Sequence, residues 1–113
     1  MLTVETLREY GADTETGMKR CMGNEALYIR LVGSISSDPG FDKLEEAIKA
    51  GDLDAAFEAA HALKGVLGNL SLTPLYDKAS EITELLRERK EMDYGPLLDA
   101  LKASREELTG LMQ

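Results

Sequence analysis

Apolar residues recur at three- and four-residue spacing along the chain, and no stretch shows the strict two-residue alternation of a half-buried strand. Val4 and Leu7 share a face between Thr3 and Tyr10, and Gly11 ends that pattern. Asp13 is placed to cap a second short helix carrying Met18, Cys21 and Met22 to the break at Gly23, with the methionines expected as core and cap fillers. Asn24 is the next cap, followed by Leu27, Leu31, Val32 and Ile35 up to Ser36-Ser37. Asp38-Pro39 reads as a helix start with proline in the first turn, where its missing N–H costs nothing. Phe41, Leu44, Ala47 and Ile48 then repeat on one face until Gly51, and Asp52 restarts the chain as the cap of a long helix reaching about Leu70.

Beyond Leu70, Ser71-Leu72-Thr73-Pro74 predicts a tight turn with a capping hydroxyl before a first-turn proline. Leu75, Ala79, Ile82, Leu85 and Leu86 mark the buried stripe of the following helix, and Glu84 to Glu91 read as its charged, solvated end. Asp93-Tyr94-Gly95-Pro96 opens the last helix, with Leu97, Ala100, Leu101, Ser104, Leu108 and Leu111 on its inner face. The predicted fold is all-α: an antiparallel, up-and-down four-helix bundle over residues 24–112 with a short helical cap from residues 1–23.

The long helix from Asp52 carries two separate patterns. Leu53, Phe57, Ala60, Leu63, Leu67 and Leu70 form a buried stripe. At about 100° per residue, His61, Gly65 and Gly68 fall within roughly 60° of one another, with Lys64 at the edge of the group. The centre of the stripe lies roughly 115° from His61, so this second surface flanks the core and His61 faces solvent. Each interior glycine costs a helix about 1 kcal/mol relative to alanine, which asks for a compensating role. Removing the side chains at i+4 and i+7 would let another protein and a phosphoryl group approach the imidazole, while Lys64 could partly neutralise a phosphate on the ring. Close packing between helices is the competing reading of Gly65 and Gly68, and their position off the apolar stripe speaks against it.

The run from His61 to Leu70, H-A-L-K-G-V-L-G-N-L, resembles the histidine-containing phosphotransfer (HPt) domains of two-component phosphorelays, whose pattern is close to H-x-L-K-G-x-x-G-N-[I/L]. The resemblance extends to the helical layout and the length of the chain. It implies that His61 accepts phosphate through Nε2, that Lys64, Gly65, Gly68 and Asn69 form the phosphate neighbourhood and receiver-docking surface, and that the partners are response-regulator receiver domains and a hybrid sensor histidine kinase. It also implies that magnesium belongs to the receiver, leaving this chain with no cofactor of its own. Many members follow the asparagine and its apolar neighbour with a Gly-Ala pair; here Ser71-Leu72 stands at that place, beyond the reactive turn.

Composition narrows the function. A chain of 113 residues is one domain, read as a stand-alone module over residues 1–113, monomeric, and too short to add a kinase or receiver domain. No apolar run nears the about 20 residues of a transmembrane helix and the amino terminus lacks signal-peptide features, so the expected location is the cytoplasm. One cysteine, Cys21, excludes an internal disulfide, and with a single histidine it is too little for a structural zinc site. A net charge of -8 disfavours nucleic acid and anionic membranes. No glycine-rich phosphate loop or nucleotide motif is present, so the chain is expected to be no enzyme and unable to phosphorylate itself from ATP. Two readings stay open: a phosphocarrier shuttling phosphate between receiver aspartates through His61, and a degenerate HPt-like helical module that docks receivers or kinases without phosphotransfer.

Overall fold

The places where the chain stops being helical organise the structure. The computed structural model describes residues 1–113 and contains seven α-helices: α1 (Val4–Tyr10), α2 (Thr14–Arg20), α3 (Glu25–Gly33), α4 (Gly40–Lys49), α5 (Leu53–Asn69), α6 (Thr73–Arg87) and α7 (Gly95–Gly110). A single 3-10 turn, Ser34–Ser37, follows α3. Five of the helices end in the same way, with a residue at positive φ whose own N–H and that of its successor return to carbonyls of the last turn. Those residues are Gly11, Met22, Gly51, Ser71 and Arg89. At Gly51, φ is +71°, Gly51 N–H donates to Ile48 O and Asp52 N–H donates to Ala47 O. The same residue pair then starts α5, because the Asp52 carboxylate accepts from Ala55 N–H at 3.0 Å.

Asp13 and Asn24 cap α2 and α3 in the same manner, as their positions in the sequence predict. Thr73 does not cap α6. Leu72 holds the N-cap position without a side-chain bond, and Thr73 is already the first helical residue. The count of main helices also differs from four. After Asn24 there are five, because Ser34–Ser37 tightens into the 3-10 turn and Asp38-Pro39 redirects the backbone, separating α3 from α4.

The long helix α5 is the centre of the packing, with α4 on one side and α6 on the other, and α7 lies against α6. Connections of a few residues join α4 to α5 and α5 to α6, which makes these neighbours antiparallel. Their shared core contains Phe41, Leu44, Ala56, Ala60, Leu63, Leu67, Leu75, Ala79, Ile82 and Leu86, all buried. On α7 the inward face is Leu98, Leu101, Ser104 and Leu108; Leu97 is only half-buried and Ala100 is exposed, a rotation from the predicted face. Met22, expected as a filler, is 94% exposed because its left-handed backbone turns it out of α2. Cys21 is a buried free thiol.

Tyr28, fully buried, joins the amino-terminal helices to this core. Its hydroxyl donates to Leu70 O at 2.9 Å, and its ring fills the space that a Cβ on Gly17 of α2 would need, coming within 2.5 Å of that position. Nearby, Asp13 N–H donates to Ser71 O at 2.9 Å. Three residues before Asp13, Tyr10 OH donates to Ser104 O of α7 at 2.9 Å.

Two outcomes follow for stability. Ser71 sits at φ +55° in the position glycine prefers, with Ser71 N–H on Gly68 O and Leu72 N–H on Leu67 O. Ser71→Gly should therefore raise Tm by roughly 2 to 5 °C, as relief of left-handed strain outweighs the added freedom of the unfolded chain; an unchanged or lowered Tm would contradict this account of the turn. Burial pushes the Tyr28 phenol up from 10.0 to about 12. The folded chain thus holds this proton more tightly than the unfolded chain, and the stability it contributes is intact below pH 10 and lost as pH rises to about 12. Tyr28→Phe should cost about 1 to 3 kcal/mol in urea unfolding at neutral pH, because Leu70 O is left without its donor, and should flatten the alkaline loss of stability. Equal stability of the two proteins at neutral pH would count against the role given to this bond.

Candidate functional site

Helix α5 presents His61 at its middle, on an exposed face that flanks the packed side of Ala60 and Leu63. Beside it lies an open cleft of about 490 Å³. All five residues singled out in the sequence, His61, Lys64, Gly65, Gly68 and Asn69, line this cleft. Its opposite wall comes from elsewhere in the chain: Asp13 and Arg20 at the two ends of α2, Ser71 in the turn, and Thr73 and Tyr76 of α6.

The two glycines have different surroundings. A Cβ on Gly65 would meet nothing within 4 Å, so this position is open space above the helix. A Cβ on Gly68 would lie 3.0 and 3.2 Å from two carbons of the Tyr76 ring. Gly68 therefore makes room for a neighbouring side chain as well as for the cleft, which corrects the reading of both glycines as clearance alone. The spacing along α5 carries no sign of Tyr76, which belongs to the next helix.

The charges of the cleft run opposite to those of the whole chain. Against a net charge of -8, the lining carries Lys64 and Arg20 with one carboxylate, Asp13. The ion pairs of the fold are Lys49–Glu45, Arg87–Glu84, Arg89–Asp54 and Lys102–Glu45, so the two cleft cations stand outside them. Asn69 Oδ1 accepts from Arg20 Nη1 at 3.2 Å and holds that guanidinium over the carboxyl end of α5. Asp13 is occupied as the cap of α2, where the Thr16 hydroxyl at 2.7 Å and the Thr16 N–H lower its pKa and keep it ionised. No group of three or more His, Cys, Asp or Glu converges in a way that could hold a metal ion.

On its other side, His61 meets an aromatic ring. Phe57, one turn earlier, stacks on the imidazole with ring centroids 5.6 Å apart and an interplanar angle of 13°. The guanidinium carbons of Arg87 and Arg89 lie 5.1 and 4.9 Å from the centroid of the same Phe57 ring. The charged run at the end of α6 is therefore more than a wet surface, and Phe57 is more than a core residue, being only half-buried at the edge of the stripe. The spacing of Phe57 and His61 was visible in the sequence. The arrival of Arg87 and Arg89 was not, since it depends on where α6 ends.

The family model of the Hpt domain matches residues 36–111, and the chain belongs to that family. No curated protein sequence and no solved structure matches the chain at a significant level. Hpt domains are phosphocarriers of two-component phosphorelays rather than enzymes, and they work with receiver domains and kinases, which gives this chain a phosphorelay-related phosphotransfer role. No helix is long and apolar enough to cross a membrane. The matched segment holds α4 to α7 and the motif of α5, whereas Asp13 and Arg20 come from outside it.

The unequal surroundings of the glycines can be read in stability. Gly65→Ala should raise Tm by roughly 3 to 6 °C, the gain of a better helix former in open space. Gly68→Ala should gain less or nothing, because the Tyr76 ring must move by a few tenths of an ångström to accept the methyl group. Equal gains measured by calorimetry would show that Tyr76 does not restrict position 68.

Proposed function

We propose that this chain is an active phosphocarrier in which His61 takes a phosphoryl group from the aspartyl phosphate of one receiver domain and passes it to the aspartate of another. The observation that carries the reading is the exposed imidazole of His61 at an open cleft whose unpaired-off cations, Lys64 and Arg20, stand in an otherwise acidic protein. A module kept for docking alone has no need of an accessible nucleophile there.

In the transfer, the lone pair of neutral His61, at Nε2 by resemblance to the family, forms an N–P bond in line as the acyl P–O bond breaks. The electron pair of that bond leaves with the aspartate carboxylate, and the remaining ring N–H proton passes to solvent. Positioning and charge neutralisation supply the acceleration, Lys64 lying one helical turn from the phosphate. We assign the magnesium ion to the receiver and the initial phosphate to a hybrid sensor histidine kinase, with the carrier acting as a monomer in the cytoplasm. Gly65, Gly68 and Asn69 belong to the surface that meets the receiver, and Asn69 does so through Arg20.

Incubation with a phosphorylated receiver domain should label the protein with an acid-labile, base-stable phosphate, the behaviour of a phosphoramidate. His61→Gln should abolish the label while helical circular dichroism is unchanged. Label persisting in that variant would remove His61 from the role, and receiver binding without any label on the wild type would favour the docking-only module.

A further inference from the structure

Transfer to an imidazole is directional, because the attacking lone pair lies in the ring plane and must point along the P–O bond that breaks. A histidine on an exposed helix face is ordinarily free to turn about its outer torsion, so most of its orientations aim the nitrogen elsewhere. His61 is exposed, yet one face of its ring is taken by Phe57 at 5.6 Å and 13°. A stacked contact occupies a face and consumes neither nitrogen, since both lie on the ring edge. It therefore restricts rotation while leaving the nucleophile available.

Phe57 is itself held in place. Both Arg87 and Arg89 place their guanidinium groups within about 5 Å of its centroid. Neither arginine is a loose surface chain. Arg89 adopts φ +52° where α6 terminates, its Nε donates to Asp54 Oδ1 at 2.6 Å, and its Nη1 donates to Leu86 O at 2.7 Å. Arg87 is paired with Glu84 at 3.1 Å. Asp54 stands one turn before Phe57 on α5, so the end of α6 is fastened to α5 beside the ring that it covers.

We infer that Phe57 is a positioning residue for phosphotransfer, a platform that fixes the plane of the His61 imidazole and is clamped by Arg87 and Arg89 from the end of α6. The inference rests on His61 being the phosphate carrier. Its effect is conformational: fewer orientations of the ring are wasted, and the ring edge that carries the attacking nitrogen stays free.

The test uses potassium phosphoramidate as a small phosphodonor, so that no receiver contact with Phe57 enters, together with proton–carbon NMR of the His61 ring. In the wild type the His61 ring protons should be shifted upfield by the Phe57 ring current. Phe57→Leu, which keeps an apolar side chain, should return them to unstacked positions and slow labelling roughly three- to tenfold, the cost of one freed ring torsion. Phe57→Tyr should restore both readouts, and Arg89→Ala should shift them in the direction of Phe57→Leu, without reaching it. Should Phe57→Leu lose its helical circular dichroism, Phe57→Met and the Arg89→Ala protein carry the same comparison. A wild type labelled no faster than folded Phe57→Leu, or His61 signals that do not move between them, would overturn the positioning role and leave the carrier reading intact. Absence of label on the wild type despite upfield-shifted ring signals would overturn the carrier reading instead.

Discussion

The hydrogen bond from Tyr28 to Leu70 O is the contact on which the shape of the cleft depends. Leu70 is the residue that closes α5, and the last carbonyls of a helix have no partner within it. Left buried and unmet, such a carbonyl destabilises the turn that follows. Tyr28 reaches it from α3, and the same ring fits against Gly17, which has no side chain to hold it off. One phenol thereby locks α2, α3 and the end of α5 into a single arrangement. Asp13 N–H on Ser71 O adds a second bond across the same junction. These contacts set α2 beside the end of α5, where Asn69 then holds Arg20 in the far wall of the cleft.

Much of the architecture could be read from the chain, and the reason is local. Asp13, Asn24 and Asp52 cap helices by bonding N–H groups three residues ahead, so the signal and its effect lie within one turn. The His61 motif is equally local, and its exposure follows from its angle to the stripe containing Ala60, Leu63 and Leu67. Failures occur where a residue answers to a distant partner. Gly68 answers to Tyr76 of the next helix, and the arginines at the end of α6 to Phe57 of α5, neither of which local spacing reveals. Met22 was misplaced because a left-handed residue at a helix end points outward whatever its hydrophobicity. On α7, an apolar pair, Leu97 and Leu98, leaves the buried face ambiguous by one residue, and packing against α6 selects Leu98.

The acidity of the chain and the cations of the cleft act at different ranges. A net charge of -8 is felt at a distance but is screened beyond about 8 Å at physiological ionic strength. Within that range a partner meets Lys64 and Arg20 beside His61, with Asp13 already engaged as a cap. The net charge of the chain thus repels anions at a distance, while the cleft beside His61 carries two cations against one carboxylate.

The helices α1 and α2 are seven residues each, shorter than a helix that holds together in water by its own hydrogen bonds. Their order is borrowed from Tyr10, Tyr28 and the turn at Ser71. The pairings of α4, α5 and α6, by contrast, join neighbours in sequence and close with little loss of chain entropy. A folding order follows from this difference. The hairpin-like stack that carries His61 forms from nearby parts, whereas Arg20 reaches Asn69 across 49 residues and arrives with the last segments to dock. Read in reverse, fraying begins in the wall that bears Arg20, and hydrogen exchange in α2 would run ahead of exchange in α5.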